Sequence, residues 1–323
     1  MKLQVPFIQL PLSFDAERLE AEVAALGEDG WKPHPQGFAG NSMLPLVAVG
    51  GDPDDEGFTG EMRPTPHLQR CPYLRQVIAS LGTVVGRSRL MRLSGHAEVN
   101  RHADQGYYWA ERVRVHVPVV TQPTVRFECG DAAVHMAAGE CWIFDTWRQH
   151  RVINDAVRSR IHLVVDTVGG EAFWELVARG RPHNAPRSGW TAQRIEPHTD
   201  AVELVCERAN VPAVMSPWEL NTHLALLFED AVPHPALARM SQLTGRFARA
   251  WRALWAAHGD GEGGRPQFRA LLARYLDEMR AASQGVLLKN ELAWYGALHA
   301  IVGRAAVRAD ENPAQSHRGA DNG

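Results

Sequence analysis

Residues 102–166 read HADQGYYWAERVRVHVPVVTQPTVRFECGDAAVHMAAGECWIFDTWRQHRVINDAVRSRIHLVVD. Short strand-like runs at 112–119, 124–129, 132–136, 141–144, 151–154 and 159–166 recur at about eight to twelve residues, separated by Gly, Asp and Pro turns. Many short strands in this rhythm build a sandwich or barrel, of which the two-sheet jelly roll is one form. Two runs alternate cleanly. In RVRVHV, Arg112, Arg114 and His116 share one face while Val113, Val115 and Val117 share the other. In RIHLVVD, Arg160 and His162 face one side and Ile161, Leu163 and Val165 the opposite one. Such a polar face meets either solvent or the mouth of a barrel.

Upstream of this stretch, residues 3–12 alternate loosely and predict an edge strand limited by its prolines. Ser13 or Asp15 can cap a helix carrying Leu19, Val23, Ala24 and Leu26 at helical spacing. Residues 27–66, rich in Gly, Pro and Asp, predict loops and short strands, with a surface turn at GDPDDEG. A helix is expected over 71–81, ending at Gly82, and a strand over 88–93. Downstream of Gly169-Gly170 the pattern turns helical, at 171–178, 217–228, 235–258, 267–282 and 289–307, with a hinge-like break over 259–266. The expected organisation is a β domain over 1–170, a helical domain over 171–308 and a disordered polar tail over 309–323.

The bulk properties bound the partners. At 323 residues, with 45% hydrophobic and 22% charged residues, the chain can bury substantial cores without staples. A formal net charge of -3 supplies no global basic field, so neither nucleic acid nor an anionic membrane is an expected partner. Cys71, Cys129, Cys141 and Cys206 are too few and too scattered for a disulfide framework, and none form a C-x-x-C pair. Reduced thiols and a cytoplasmic location are expected. The apolar N-terminal run is interrupted by Pro6, Gln9 and Pro11, so a signal peptide is not expected from it, and no stretch approaches the ~20 apolar residues of a membrane span.

The chemistry-bearing residues are His102, Asp104 and His150. Two imidazoles and one carboxylate on one octahedral face leave three adjacent positions, room for a bidentate 2-oxo acid and for dioxygen at a mononuclear iron(II) centre. In an extended His-x-Asp both side chains point the same way, so both can reach one metal. The tripeptide alone is weak, because a chain with 15 histidines yields about one by chance. A second occurs at His198-Thr199-Asp200, without the strand series or a suitably placed His and Arg. Ten residues after His150 comes Arg160, whose planar fork on a barrel wall suits the distal carboxylate of 2-oxoglutarate. His135 and His162 have the simpler reading of core or wall residues. Tyr107, Tyr108 and Trp109 either shape a substrate pocket or pack a loop. Asp145 and Asn154 flank His150 and either orient its second nitrogen or form turns.

In order along the chain, RLMRL (89–93), HAD (102–104), RVRVHVPV (112–119), GECWIFD (139–145), HRVIND (150–155) and RIHLVVD (160–166) resemble the aspartyl/asparaginyl β-hydroxylase family of Fe(II)- and 2-oxoglutarate-dependent oxygenases. Segments 38–42 and 65–73 also resemble its N-terminal part, so the likeness covers about half the chain. The resemblance implies a mainly β core, a double-stranded β-helix of cupin-like jelly-roll form, with flanking N-terminal helices and a helical C-terminal region. It implies iron on His102, Asp104 and His150, with Arg160 on the distal carboxylate of 2-oxoglutarate and Arg114 and His116 near its other carboxylate. The family's serine contact has no evident counterpart, its place falling around Met91. Protein-modifying members lack the carboxylate ligand that Asp104 supplies, and a halogenase needs that position open. The implied activity is therefore O2-dependent hydroxylation of a C–H bond in an amino acid or amino-acid-derived small molecule, with succinate and CO2 as co-products. The alternatives are a protein or peptide aspartyl/asparaginyl hydroxylase and a non-catalytic jelly-roll binding module. The helical region carries no such resemblance; homodimer formation, cover for the barrel mouth and partner binding are its open roles.

Overall fold

A computed structural model describes residues 1–35 and 37–309 of the chain. Its described residues divide into two compact units, 1–103 with 111–210, and 104–110 with 211–309. The break expected at 170 thus falls after Asn210. All of the expected 309–323 tail except Ala309 lies outside the described residues.

The strands are β1 (Phe7–Phe14), β2 (Lys32–Pro33), β3 (Asn41–Val49), β4 (Met62–Pro64), β5 (Val84–Leu93), β6 (Glu98–His102), β7 (Val113–Val120), β8 (Val125–Cys129), β9 (Ala132–Val134), β10 (Glu140–Phe144), β11 (His150–Asn154), β12 (Arg160–Gly169), β13 (Arg181–Pro182) and β14 (Gln193–Ile195). The helices of the first unit are α1 (Ala16–Ala25), α2 (Pro66–Gln69), α3 (Pro72–Ser80) and, after the short α4 (Tyr107–Glu111), α5 (Glu171–Ala178). The Asp15 carboxylate starts α1 by accepting from the Arg18 N–H.

The strands form two sheets. The larger runs β13-β1-β10-β7-β12-β5-β3-β2, with β14 beside β1 and β4 beside β3; the smaller runs β6-β11-β8-β9. Alternation places their faces. Phe7, Leu93, Trp142 and Phe144 from the large sheet meet Phe127, Cys129 and Val152 from the small one in a shared core. On the other face of the large sheet, Val113, Val115, Val117, Leu163 and Val165 pack against Leu19 and Val23 of α1, Leu74, Val77 and Ile78 of α3 and Phe173 of α5. The result is a jelly-roll core with one sheet covered on both faces.

One local expectation in the β region is corrected. The N-terminal strand is not at an edge: β1 lies between β10 on one side and β13 and β14 on the other. Its Pro11, which has no N–H, sits where the pairing with β10 shifts register between Gln9 and Ser13, so the strand keeps an interior place by leaving the ladder locally. These partners, β13 and β14, also tie residues 181–195 to the barrel and explain the later unit boundary.

The second unit is helical, with α6 (Pro217–Glu229), α7 (Leu237–His258), α8 (Arg265–Ala282) and α9 (Trp294–Leu298). Its core stacks Phe247 on Tyr275 with centroids 4.0 Å apart, and the buried Trp251 and Trp294 indoles donate to the Met215 and Leu227 carbonyls. Tyr107 belongs here, its hydroxyl donating to Glu219 Oε1 at 2.6 Å. The break expected over 259–266 is a single 3-10 turn, after which α8 starts with Pro266 in its first turn. The helix expected over 289–307 is shorter. Asn290 accepts from the Leu292 N–H and Glu291 takes a φ of 72°, so the chain turns before α9, which continues into one π turn over His299–Gly303. Among the described residues no helix is long and apolar enough to cross a membrane.

Candidate metal and cosubstrate site

Antiparallel pairing of β6 with β11 puts His102 directly opposite His150, with ring centroids 4.3 Å apart. Asp104 follows two residues after His102. One ligand atom from each of His102, Asp104 and His150 lies within 4.8 Å of the others, and this is the cluster with metal-holding geometry among the described residues. The chemistry of the donors fits iron(II): two imidazoles and one carboxylate.

Each imidazole is oriented by a backbone carbonyl two residues before it. His102 Nδ1 lies 2.7 Å from the Asn100 carbonyl, and His150 Nδ1 lies 2.9 Å from the Arg148 carbonyl. A carbonyl only accepts, so both rings carry their proton on Nδ1, and the Nε2 lone pair becomes the metal-facing one. Phe144 meets the buried His150 ring edge-on at 4.9 Å, and Phe127 stacks on it at 6.3 Å. The two residues considered as orienting groups for His150 do something else. Asp145 accepts from the Trp147 N–H and the Arg148 Nε, while Asn154 donates to the Leu93, Ser94 and Arg158 carbonyls and accepts from Ala156. Both are turn-builders.

Arg160 is buried on the inner face of β12. Its Nη2 lies 2.6 Å from His162 Nδ1, its Nε has no hydrogen-bond partner, and among the described residues no carboxylate pairs with it. Burial lowers its pKa to about 9, which leaves it a cation at neutral pH. A buried cation without a counter-charge is costly, and a ligand carboxylate supplies what the site lacks. The residues therefore fit 2-oxoglutarate.

His116 is buried on β7, its Nδ1 3.3 Å from His162 Nδ1 and its ring edge-on to Phe127 and Phe144. Burial first, then Arg160, Arg114 and His150, hold its pKa well below the usual histidine value, so it is neutral. Arg114 differs from Arg160: its Nε donates to Asp166 Oδ1 at 3.0 Å, and Arg89 lies 3.8 Å from the same carboxylate. Asp166 sits opposite Arg114 across the β12–β7 pair. The strand alternation that gathers Arg160 and His162 also carries Asp166, which sequence reasoning did not single out. His34 was missed as well. Burial, with Arg89, Arg114, Arg87 and His102 nearby, lowers its pKa to about 3, and Phe38 stands 5.7 Å from its ring and 6.2 Å from that of His102. No local signal marks His34; the Phe38 segment was noticed only through the family resemblance. His135 bonds the Val125 carbonyl within the barrel wall. The second His-x-Asp is exposed, with His198 Nδ1 3.8 Å from Asp200, and among the described residues no third donor joins it.

Residues 44–169 match the profile of the family described as aspartyl/asparaginyl beta-hydroxylase. L-proline cis-3-hydroxylase 1 of a Streptomyces species is 27% identical over 186 residues, which cover 52% of this chain and 61% of that protein. The match thus spans less than two thirds of the relative's length. A 2OG-Fe(II) oxygenase-family oxidoreductase from Burkholderia pseudomallei aligns with a TM-score of 0.39 and 14% identity, covering 51% of this chain and 85% of that one. A Pseudomonas putida prolyl-4-hydroxylase aligns with a TM-score of 0.35 and 16% identity over 51% and 93% of the two chains. The stretch that matches the aspartyl/asparaginyl beta-hydroxylase profile, residues 44–169, is the one that holds His102, Asp104, His150 and Arg160.

Proposed function

We propose that the protein is an Fe(II)- and 2-oxoglutarate-dependent dioxygenase that hydroxylates a C–H bond of an amino acid or an amino-acid-derived small molecule. The observation that carries this reading is the convergence of two imidazoles, each with its Nε2 lone pair set by a backbone carbonyl, on one carboxylate. Iron held by His102, Asp104 and His150 would supply dioxygen activation coupled to oxidative decarboxylation of 2-oxoglutarate to succinate and CO2.

The chain's own residues do the rest. Arg160 binds the distal carboxylate through a guanidinium that has no competing carboxylate. His116, kept neutral, adds no charge beside that ligand. Phe127 and Phe144 hold the His150 ring and keep water from its buried side. Arg114, fixed by Asp166, stands on the same inner face as His116 and serves the other end of the cosubstrate. An amino-acid-like substrate is supported by the Streptomyces relative's name and by the carboxylate ligand Asp104.

The test is turnover. Purified protein with Fe(II), 2-oxoglutarate and O2 is screened against free amino acids and short peptides, following succinate and, by mass spectrometry, a gain of one oxygen. The expected result is oxygen gain on a free amino acid or close derivative. Gain only on peptides would move the reading to a peptide hydroxylase, and absence of succinate under every condition would overturn it.

A further inference from the structure

Arg160, His162 and His116 form a chain of contacts that fixes the tautomer of His162. A guanidinium only donates, so at 2.6 Å the Arg160 Nη2–H gives its hydrogen to His162 Nδ1, and His162 must carry its own proton on Nε2. His162 Nδ1 is then an acceptor whose single lone pair is engaged by Arg160, and His116 Nδ1 packs 3.3 Å from it. Both rings are buried and both are neutral, the pKa of His162 being held far down by burial, then by Arg160 and His116.

A neutral imidazole in this place is more than filler. Two buried donors, Arg160 Nε–H and His162 Nε2–H, have no acceptor among the described residues, whereas interiors leave few such groups without a role. The charge there is positive, so the guest that completes them is an anion. One N–H of Arg160 is committed to His162. That bond stops the guanidinium from turning about its stem and sets the plane in which its other N–H groups can meet a carboxylate with both oxygens.

We infer that His162 is a positioning residue for the cosubstrate, holding the Arg160 guanidinium in the orientation that binds the distal carboxylate of 2-oxoglutarate, with His116 bracing it from behind. This rests on the proposed role of Arg160. It assigns to His162 a part in cosubstrate affinity without contact with the iron ligands. An arginine left to swing would still attract the anion but would lose the two-point fit.

The experiment compares His162→Asn, His162→Gln and His162→Leu with Arg160→Gln in metal-loaded protein under anaerobic conditions, titrating 2-oxoglutarate by calorimetry. Asparagine can place an acceptor where Nδ1 was; glutamine places its amide near the old Nε2 instead. His162→Leu and His162→Gln should bind 2-oxoglutarate about tenfold more weakly, the scale of one hydrogen bond to a charged group, while His162→Asn should stay within about threefold. In turnover the loss should appear in KM for 2-oxoglutarate rather than in kcat. Wild-type affinity in both His162→Leu and His162→Gln, or equal weakening in Asn and Gln, would overturn the inference while leaving Arg160 in place. Wild-type affinity in Arg160→Gln would overturn the Arg160 assignment, and the inference with it. Thermal melting of each ligand-free variant identifies loss of fold, and the Asn–Gln pair, equal in polarity, decides the matter even if leucine is not tolerated.

Discussion

A carbonyl two residues back along the chain sets the tautomer of both His102 and His150. Their proposed ligand role therefore depends on backbone in or beside the β6–β11 pair. Removing a ligand should cost more than removing an orienting group, whose loss costs about 10–100-fold in metal affinity. Asp104→Ala and His150→Ala should each weaken iron(II) binding by more than about 100-fold and abolish turnover, with the far-ultraviolet circular dichroism of the barrel retained; unchanged metal affinity in either would remove that ligand. A second expectation concerns protons. His162 has a folded pKa well below its ordinary 6.5, so the unfolded chain binds the extra proton first. Stability from this group is intact above pH 6.5 and falls as pH drops below it, by up to about 1.4 kcal/mol per pH unit. Urea midpoints of metal-free protein should decline more steeply from pH 7 to 5 in wild type than in His162→Asn; parallel declines would contradict the burial of a neutral ring. The residues of the proposed ligand triad and Arg160 could be picked out because each sits in a local pattern, the His-x-Asp tripeptide or an alternating strand. The tautomers, and His34 with its three arginines, were not, since they arise from contacts between distant segments.

At the level of elements, the site is a matter of register. His102 opposes His150 only because β6 and β11 pair as they do; a slip by one residue would turn one imidazole to the opposite face. The chain before β6 and the chain after β11 meet closely at Gly95, where a Cβ would lie 2.0 Å from the Val157 carbonyl oxygen. That obstacle is backbone and cannot swing aside. Gly95→Ala should therefore push the two segments apart, destabilising the fold by about 1–3 kcal/mol and weakening metal binding as well. Denaturant unfolding and metal titration check the two effects, and an alanine variant with wild-type values for both would show the contact to be slack. The strands around this pair were readable from alternation and turn residues. β1 was misjudged because its neighbours β13 and β14 come from residues 181–195, far along the chain, and no local pattern announces such pairing. The last helix was overextended because apolar spacing is blind to an Asn290 turn.

The whole molecule carries a net charge of -3, yet the inner face of its large sheet gathers Arg160, Arg114 and Arg89 with the carboxylate of Asp166. Net charge therefore said nothing of the site. Electrostatics here is local and enclosed, and an anion entering the barrel meets little screening from salt. A ligand that binds only the folded state stabilises it by about 2.7 kcal/mol at one hundred times its dissociation constant, a rise in melting temperature of several degrees for a domain of this size. Metal-loaded protein should gain that increment from 2-oxoglutarate. Arg160→Gln should lose it while keeping whatever the metal alone contributes. Because Arg160 is buried, the increment should change little between about 50 and 200 mM salt, an interval in which exposed ion pairs are progressively screened. Differential scanning fluorimetry across that range, with and without cosubstrate, separates the cases. A salt-sensitive increment, or one that survives in Arg160→Gln, would place the anion on the surface rather than on the inner wall of β12.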